Sequence, residues 1–567
     1  MVLRWLGIAL DYFVAPGAIL FLIFDPNFLH GYIDFFENGQ YLACVNGVFE
    51  GKVPYKDFFV QFGPFQLYAI TAAMLLFGKT IATFRFFLYA NYLLSFLAIY
   101  LLARAVCRRR CAAYLATFAC LIEVSQPFWA TSWDFGRMGL GMLVLSILAV
   151  FSRKKDLRLI FLAGILSSIT CFYTIDVGLI AILSSLTFVF VSSMEYAGGE
   201  KEKLHYISRP LLWYCGGGLL VAIPFFLFMA LDGALGPYVE TSFYVLPKYL
   251  LKVWGQAVPS LVEGLRNTPG ILDLVRTEIF RIYLPVPLYA GIFLYLVVSW
   301  LRKNWNSETS TYFLLFVYGV VAYRNAFRAI LGPQFQVVLP PLIILTVSLF
   351  ERSHDALFIR GHEEPLGRSS SSRFFLRATA FGLLAVIAGA YFLVSPKRYY
   401  GTLEGWLAYQ NLKGELVGTY SCPVPLKRLA LTESKVERIG KTMIPAWENA
   451  QVTAVVEYLK KNTKEGEAVF CFPEQGLYNF LAERPASTQF YIAGLAYTAP
   501  QWRKKLLAQL TAQDPRIIVY SKELSNLAQS IGKREELLPE VGEYIERSYQ
   551  VAETYGTIRI YLRNPQF

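Results

Sequence analysis

An α-helical polytopic membrane protein is the fold class this sequence predicts, with about eleven transmembrane helices, interfacial helices in the first external loop and a small C-terminal α/β extracytoplasmic domain. Three observations predict it. Hydrophobic residues make up 55% of the chain and charged residues 17%, with a mean hydropathy of +0.42, so the apolar surface far exceeds what one soluble core can bury. Apolar runs of span length recur up to about residue 395, separated by short basic clusters. Beyond that point the composition changes to charged helices and short apolar strands.

The first segment, Met1 to Phe24, carries Arg4 and then a long apolar run without a small-residue cleavage site, so it reads as a retained span with a cytoplasmic start. Further spans of about 17 to 24 residues fall near 83–105, 111–129, 137–152, 158–175, 177–193, 211–231, 286–301, 310–327, 334–350 and 375–395. The apolar stretch from Gly63 to Gly78 is different. Counted as a span, it would carry Arg104, Arg108, Arg109 and Arg110 to the outer side, against the positive-inside rule. Lying flat at the interface as an amphipathic helix, it leaves five basic clusters cytoplasmic: Arg108-Arg109-Arg110, Arg153-Lys154-Lys155, Lys201 to Arg209, Arg302-Lys303 and Arg352 to Arg373. Residues 25–82, the turn around Asp134, the loop 232–285, the turn around Arg328 and everything after about 396 then lie on the outer face.

Two domains are expected, a transmembrane one over 1–395 and an extracytoplasmic one over 396–567. In the second, charged helices such as Glu448 to Lys461 alternate with short strands such as Ala468-Val469-Phe470 and Arg516 to Tyr520, the pattern of a small α/β layer. The Ser-rich segment Ser353 to Arg373 reads as a cytoplasmic loop. Lys and Arg outnumber Asp and Glu by 53 to 41, but membrane topology accounts for that surplus, and no nucleic-acid partner is expected. The eight Cys are scattered, with neither a CxxC pair nor metal-ligand spacing. Cys422 and Cys471 alone fall in the hydrophilic tail, which leaves one bridge open. No repeat, Gly-rich phosphate loop, GxSxG elbow or HExxH helix occurs, and of four His only His30 falls outside, which argues against a His base.

Chemistry is most plausible in the first outer loop. Asp34-Phe35-Phe36-Glu37-Asn38-Gly39-Gln40-Tyr41 places two acids three residues apart, on nearly one face of a helix if the segment is helical, with Tyr41 four residues after Glu37. A carboxylate at the boundary between water and hydrocarbon is partly desolvated, which raises its pKa and suits it to take a proton from a hydroxyl or amine. Solvated loop carboxylates, or caps of the following helix, are the structural alternative.

The order of features resembles a known family. A retained first span, the acidic element, a short amphipathic stretch, the turn Gly51-Lys52-Val53-Pro54-Tyr55-Lys56-Asp57-Phe58 and a flat helix ending at Phe77-Gly78 are similar to the first external loop of GT-C superfamily membrane glycosyltransferases. Residues 31–105 most resemble the bacterial branch related to protein mannosyltransferases, aminoarabinose transferases and rhizobial lipopolysaccharide sugar transferases. In that pattern the acid about four residues before a Tyr or Leu is the catalytic base. Counting back from Tyr41 gives Glu37, with Asn38 where many members have Glu and Asp34 as the nearby alternative. The resemblance also implies a second acidic site at Asp134, which could equally be a helix N-cap, and donor-phosphate contacts at Arg328 and Arg324 beside the run Gln334 to Pro341. Interfacial Arg can instead snorkel to head groups. Lys248 and Lys252 are further phosphate contacts or solvated side chains. The usual Asp and His of the late region are missing here.

The implied protein is a multi-pass enzyme of the plasma (inner) membrane. It inverts configuration as it moves a sugar from a polyprenyl-phosphate donor to a lipid, polysaccharide or protein acceptor on the outer face. A divalent metal occurs in some relatives and stays open. Trp447 and Trp502 could stack on sugars or pack in a core. A transporter or lipid flippase is the competing class, but it needs ionisable residues along a path and matched halves, and Asp11 is the main mid-span charge. A non-catalytic scaffold using the tail for binding is a third.

Overall fold

The computed structural model describes residues 2–124, 138–195, 200–250, 253, 260–268, 270, 277–326, 338–355, 416–418, 423–425, 429–523, 528–529, 533–534 and 537–564. The predicted first span forms α1 (Val2–Ala9), a π-helical turn over Leu10–Val14 and α2 (Ala15–Ile23). The first loop holds α3 (Glu37–Phe49) and α4 (Pro64–Phe77). There follow α5 (Ile81–Val106), α6 (Arg110–Val124), α7 (Gly139–Lys154), α8 (Leu157–Tyr173), α9 (Ile175–Ser192) and α10 (Glu200–Leu231). After the short helices α11 (Leu235–Val239), α12 (Leu261–Arg266) and α13 (Glu278–Tyr283) come α14 (Pro285–Leu301), α15 (Ser307–Ala326) and α16 (Pro340–His354). Each predicted span up to residue 355 thus overlaps a helix within the described residues; the one near 375–395 lies outside them.

Among the described residues, α5, α9 and the Tyr206–Leu231 part of α10 are long and apolar enough to cross a membrane, while Gly7–Ile23, α4, α8 and α14 are apolar and shorter. At 14 residues, α4 is about 21 Å long, well short of a hydrocarbon layer of roughly 30 Å. Pro64 opens it and Gly78, at φ +103°, closes it. Leu67, Ile70 and Met74 pack inward, while Leu75, Leu76 and Phe77 are exposed. Local chemistry sets the other boundaries. The Thr80 hydroxyl accepts the Thr83 N–H at 3.1 Å to start α5. Lys155 in the left-handed region ends α7, and Asp156 caps α8 by accepting the Arg158 N–H at 3.0 Å.

Glycines bring α8 and α10 into close approach. A Cβ on Gly164 would stand 2.1 Å from the Tyr214 carbonyl oxygen, and one on Gly217 the same distance from that of Phe161. This is the small-residue packing expected between helices in lipid, where apolar side chains gain little by leaving the bilayer. The opposite flank of α10 presents Leu212, Leu219, Leu220, Ile223 and Leu227 outward.

The basic clusters gather at one end of the helix array. Asp11 accepts from Arg104 at 3.2 Å and Arg110 at 2.9 Å, and also from Tyr114. Glu308 pairs with Arg108 at 2.6 Å and with Arg352, Asp355 pairs with Arg109, and Glu351 accepts the backbone N–H groups of Arg108 and Arg109. Lys155 pairs with Glu195, and the Ser152 hydroxyl donates to Ser307 O. Asp11, expected as a mid-span charge, therefore belongs to this ionic end, because the π-helical turn carries it toward the α5–α6 corner.

The tail forms an α/β unit. A β-hairpin pairs β3 (Leu431–Glu433) with β4 (Met443–Pro445), and a second pairs β1 (Leu416–Gly418) with β2 (Pro423–Pro425). A four-stranded sheet has the order β5-β6-β8-β7, built from β5 (Phe470–Phe472), β6 (Ile517–Ser521), β7 (Tyr549–Tyr555) and β8 (Ile558–Arg563). Only β5–β6 is parallel. Its helices are α17 (Ala446–Asn462), α18 (Leu477–Ala482), α19 (Pro500–Gln513) and α20 (Pro539–Ser548). Strand alternation divides the core in two. Phe470, Phe472, Ile518 and Tyr520 face the cluster that holds α19, α20 and Trp502. Cys471, Ile517, Val519 and Ile560 face a cluster shared with Tyr41, Val45 and Phe58 of the first loop, Ile70 of α4 and Phe84 of α5. One apolar core therefore joins the first loop to the tail. Cys471 is a free buried thiol, and Cys422 lies outside the described residues.

Candidate active site

The first loop positions its two acids differently. The Asp34 Oδ1 accepts the backbone N–H of Phe36 at 3.0 Å and of Glu37 at 2.8 Å, and the Asn38 N–H donates to Asp34 O at 2.9 Å. This is the short-side-chain cap that satisfies the free N–H groups of a helix start. Asp34 thus stands just outside α3 and Glu37 on its first turn, so the expected sharing of one helical face does not arise. Capping won because an Asp three residues ahead of the first turn reaches its N–H groups. Burial raises the pKa of Asp34, opposed by the N–H groups of Glu37 and Phe36 and by the Arg85 guanidinium. Behind the acids, Tyr41 is buried and stacks on Phe62 at 5.1 Å, anchoring α3.

Two charged residues that the sequence reading passed over lie against this turn. Arg85 of α5 is only 4% exposed, and its guanidinium donates to the carbonyl oxygens of Leu29 at 2.8 Å, Gly31 and Tyr32. Glu448 of α17 is 5% exposed and accepts the Ile33 N–H at 3.2 and 3.3 Å on its two oxygens. Burial first, with a smaller push from Asp34, lifts Glu448 to about 8, against the pull of the Ile33 N–H and Arg85. Next to them, the Gly31 N–H donates to Met443 O at 2.9 Å and the Met443 N–H to His30 Nδ1 at 3.2 Å, so the loop runs along β4. A signal for Arg85 was present: a lone Arg near the start of an apolar run, at the end expected outside, needs a buried partner.

The Pro-Tyr-x-Asp-Phe turn closes on itself. Asp57 Oδ2 accepts the Val53 N–H at 2.7 Å, the Tyr55 N–H donates to Phe58 O at 2.8 Å, and Tyr55 adopts φ +69°. Its aromatic rings then separate. Tyr55 meets Tyr238 edge-on at 5.0 Å, Phe58 stacks on Tyr491 at 5.0 Å, and Phe59 packs on Trp502 at 4.6 Å. Trp502 is therefore core, whereas Trp447 is 61% exposed beside Tyr32.

The remaining candidates are scattered. Asp134, Arg328 and Lys252 lie outside the described residues. Arg324 is exposed in the last turn of α15. Because α15 starts at the ionic end with Glu308 and α5 finishes there, Arg324 shares the opposite end with Arg85. Lys248 is exposed, with its ammonium 5.0 Å from the Tyr244 ring and 5.1 Å from the Tyr249 ring. Among the described residues no group of three or more His, Cys, Asp or Glu is arranged to hold a metal ion.

No family model matches the chain, and no curated protein matches it by sequence. Solved structures do. Over 99% of its length it is similar to ArnT from Cupriavidus metallidurans bound to undecaprenyl phosphate, with a TM-score of 0.50 and 13% identity over 98% of that chain. Two structures of the Archaeoglobus fulgidus oligosaccharyltransferase are more distant. One, in complex with an inhibitory peptide and a dolichol-phosphate, gives a TM-score of 0.42 and 13% identity, with 99% of this chain and 75% of that one covered. The other, tethered with an acceptor peptide, gives 0.45 and 14%, with 99% and 74% covered. What the chain shares with ArnT is the fold, over nearly the whole of both chains.

Proposed function

We propose that the protein is an inverting membrane glycosyltransferase that moves a sugar from a polyprenyl-phosphate donor to an acceptor on the outer face of the membrane. The observation that carries this reading is the acidic turn Asp34–Glu37, fixed at the end of the helix array opposite the basic clusters in a chain of GT-C fold. In this reading about eleven helices span the membrane, the ionic end faces the cytoplasm, and α4 lies in the outer interface. Residues 1–395 form the transferase domain and 396–567 an outer domain that docks on it. The undecaprenyl phosphate bound to the similar ArnT supports a lipid-linked donor.

Glu37 is the base. It takes the proton from the acceptor hydroxyl or amine, whose lone pair attacks the anomeric carbon as the bond to the lipid phosphate breaks. The phosphate leaves with the bonding electrons, stabilised by Arg324 and Arg328, whose planar forks suit phosphate oxygens. Asp34 and Asp134 are the neighbouring acids, with Asp34 as the alternative base. The test is Glu37→Ala and Asp34→Ala singly, with sugar transfer from polyprenyl-phosphate donors measured in proteoliposomes. Loss in one mutant identifies the base. Undiminished transfer in both would sink the assignment, and substrate flux without transfer would favour a transporter.

A further inference from the structure

We propose that Glu448, carried by the outer domain, is a positioning residue for the first loop: together with Arg85 it clamps residues 29–34 and so sets where the Asp34–Glu37 turn sits. This rests on the reading of that turn as the catalytic element. The clamp is made from both sides. Arg85, reaching out of α5, holds three carbonyl oxygens of the loop, those of Leu29, Gly31 and Tyr32. Glu448, in the first turn of α17, holds the one N–H between them and Asp34, that of Ile33. The single backbone bond from the Gly31 N–H to Met443 O lies alongside. The bonds to Gly31 and Ile33 are buried and those to Leu29 and Tyr32 part-buried, and an unmet buried donor or acceptor costs about 1–3 kcal/mol. The loop between α2 and α3 therefore has one conformation as long as both side chains are in place, and the Asp34 carboxylate that caps α3 inherits that conformation.

The charges are arranged to make the clamp conditional. The titratable and charged groups facing Glu448 are Asp34 from the loop, Arg85 from α5 and Tyr478 from α18, and His30 faces Arg85. With its proton on, Glu448 is neutral beside Asp34 and still accepts from Ile33 through its other oxygen. Once ionised, it puts a buried negative charge next to Asp34, with the Arg85 guanidinium facing both groups. The clamp is therefore firmest at low pH and loosens as pH rises from about 4.5, the ordinary value of this carboxyl, to about 8, the value to which burial lifts it.

The test uses the full chain in lipid nanodiscs, comparing wild type with Glu448→Ala and Glu448→Gln. Amide exchange of residues 31–38 is the direct readout, expressed as protection factors to remove the intrinsic pH dependence. In Glu448→Ala, protection there should fall at least about tenfold at pH 7, while β6 and β8 keep theirs. In Glu448→Gln, which reproduces the neutral carboxyl, protection should match wild type near pH 5 and stay level to pH 8, by which point wild type has lost part of its own. Should Glu448→Ala cost β6 and β8 their protection, the comparison of wild type with Glu448→Gln across pH decides alone. Parallel profiles for those two, or unchanged protection in a folded Glu448→Ala, overturn the clamp. In the transfer assay, Glu448→Ala should lower kcat by about tenfold to a hundredfold with donor KM nearly unchanged, as misplacement of a catalytic group does. If wild type transfers no sugar, the functional reading fails and the exchange data still decide the clamp.

Discussion

Asp34 and Glu37 are three positions apart, and the backbone assigns them separate work. Asp34 uses one oxygen to cap α3, at 2.8 Å from the Glu37 N–H. Asn is as good a cap as Asp, whereas Ala loses about 0.5–2 kcal/mol. Asp34→Asn should therefore unfold at the same temperature as wild type, and Asp34→Ala several degrees lower, measured by thermal unfolding in detergent. If Glu37 is the base, Asp34→Asn retains most transfer and Glu37→Gln loses it with stability unchanged; the reverse pattern would make Asp34 the base. The acidic pair was legible in the sequence because capping and spacing are local properties. Arg85 and Glu448 were not, since Glu448 finds its backbone partner 415 residues away and nothing in the local pattern announces it.

Helices followed the apolar periodicity and its punctuation closely. Pro64, Gly78, Thr80 and Asp156 mark starts and stops where their chemistry requires them. What periodicity could not give was which flank of each helix meets which neighbour. The α8–α10 contact is the clearest example, because it depends on Gly164 and Gly217 meeting carbonyl oxygens of the opposite helix. Replacing either by Leu should force these helices apart and lower the thermal stability and folded yield in detergent. Gly216→Ala is the control: the Cβ would stand 3.8 Å from Phe161, an ordinary contact, so stability should stay near wild type. Equal losses in all three would show that the helix pair is sensitive to helix propensity rather than to close approach.

At the scale of the molecule, the two ends differ in kind: one is knit by ion pairs, the other by an apolar core shared with the tail. The positive-inside rule anticipated that the basic clusters would gather, although not that Asp11, Glu308, Glu351 and Asp355 would meet them. The orientation is checked by an impermeant maleimide applied to whole cells. In the proposed orientation, Lys461→Cys in the tail should label directly, and Lys303→Cys only after permeabilisation; the opposite order inverts the topology. Stability should also depend on pH through Glu448. Its carboxyl rises from 4.5 to about 8 on folding, so the folded chain holds this proton more tightly than the unfolded one. The contribution is full below about 4.5 and fades as pH climbs through about 8. Between pH 6.5 and 9 the unfolding temperature of wild type should fall further than that of Glu448→Gln; equal slopes would remove Glu448 from the account.

The core that joins the first loop to the tail also sets an order of events during synthesis. His30 and Ile33 are made early, and their partners Met443 on β4 and Glu448 on α17 are made more than 400 residues later, as the separations of 413 and 415 show. At about 5–20 residues per second, that leaves an apolar loop waiting some 20–80 s for its cover. Until then the loop's apolar side chains need other cover, and the loop locks only when β4 and α17 arrive.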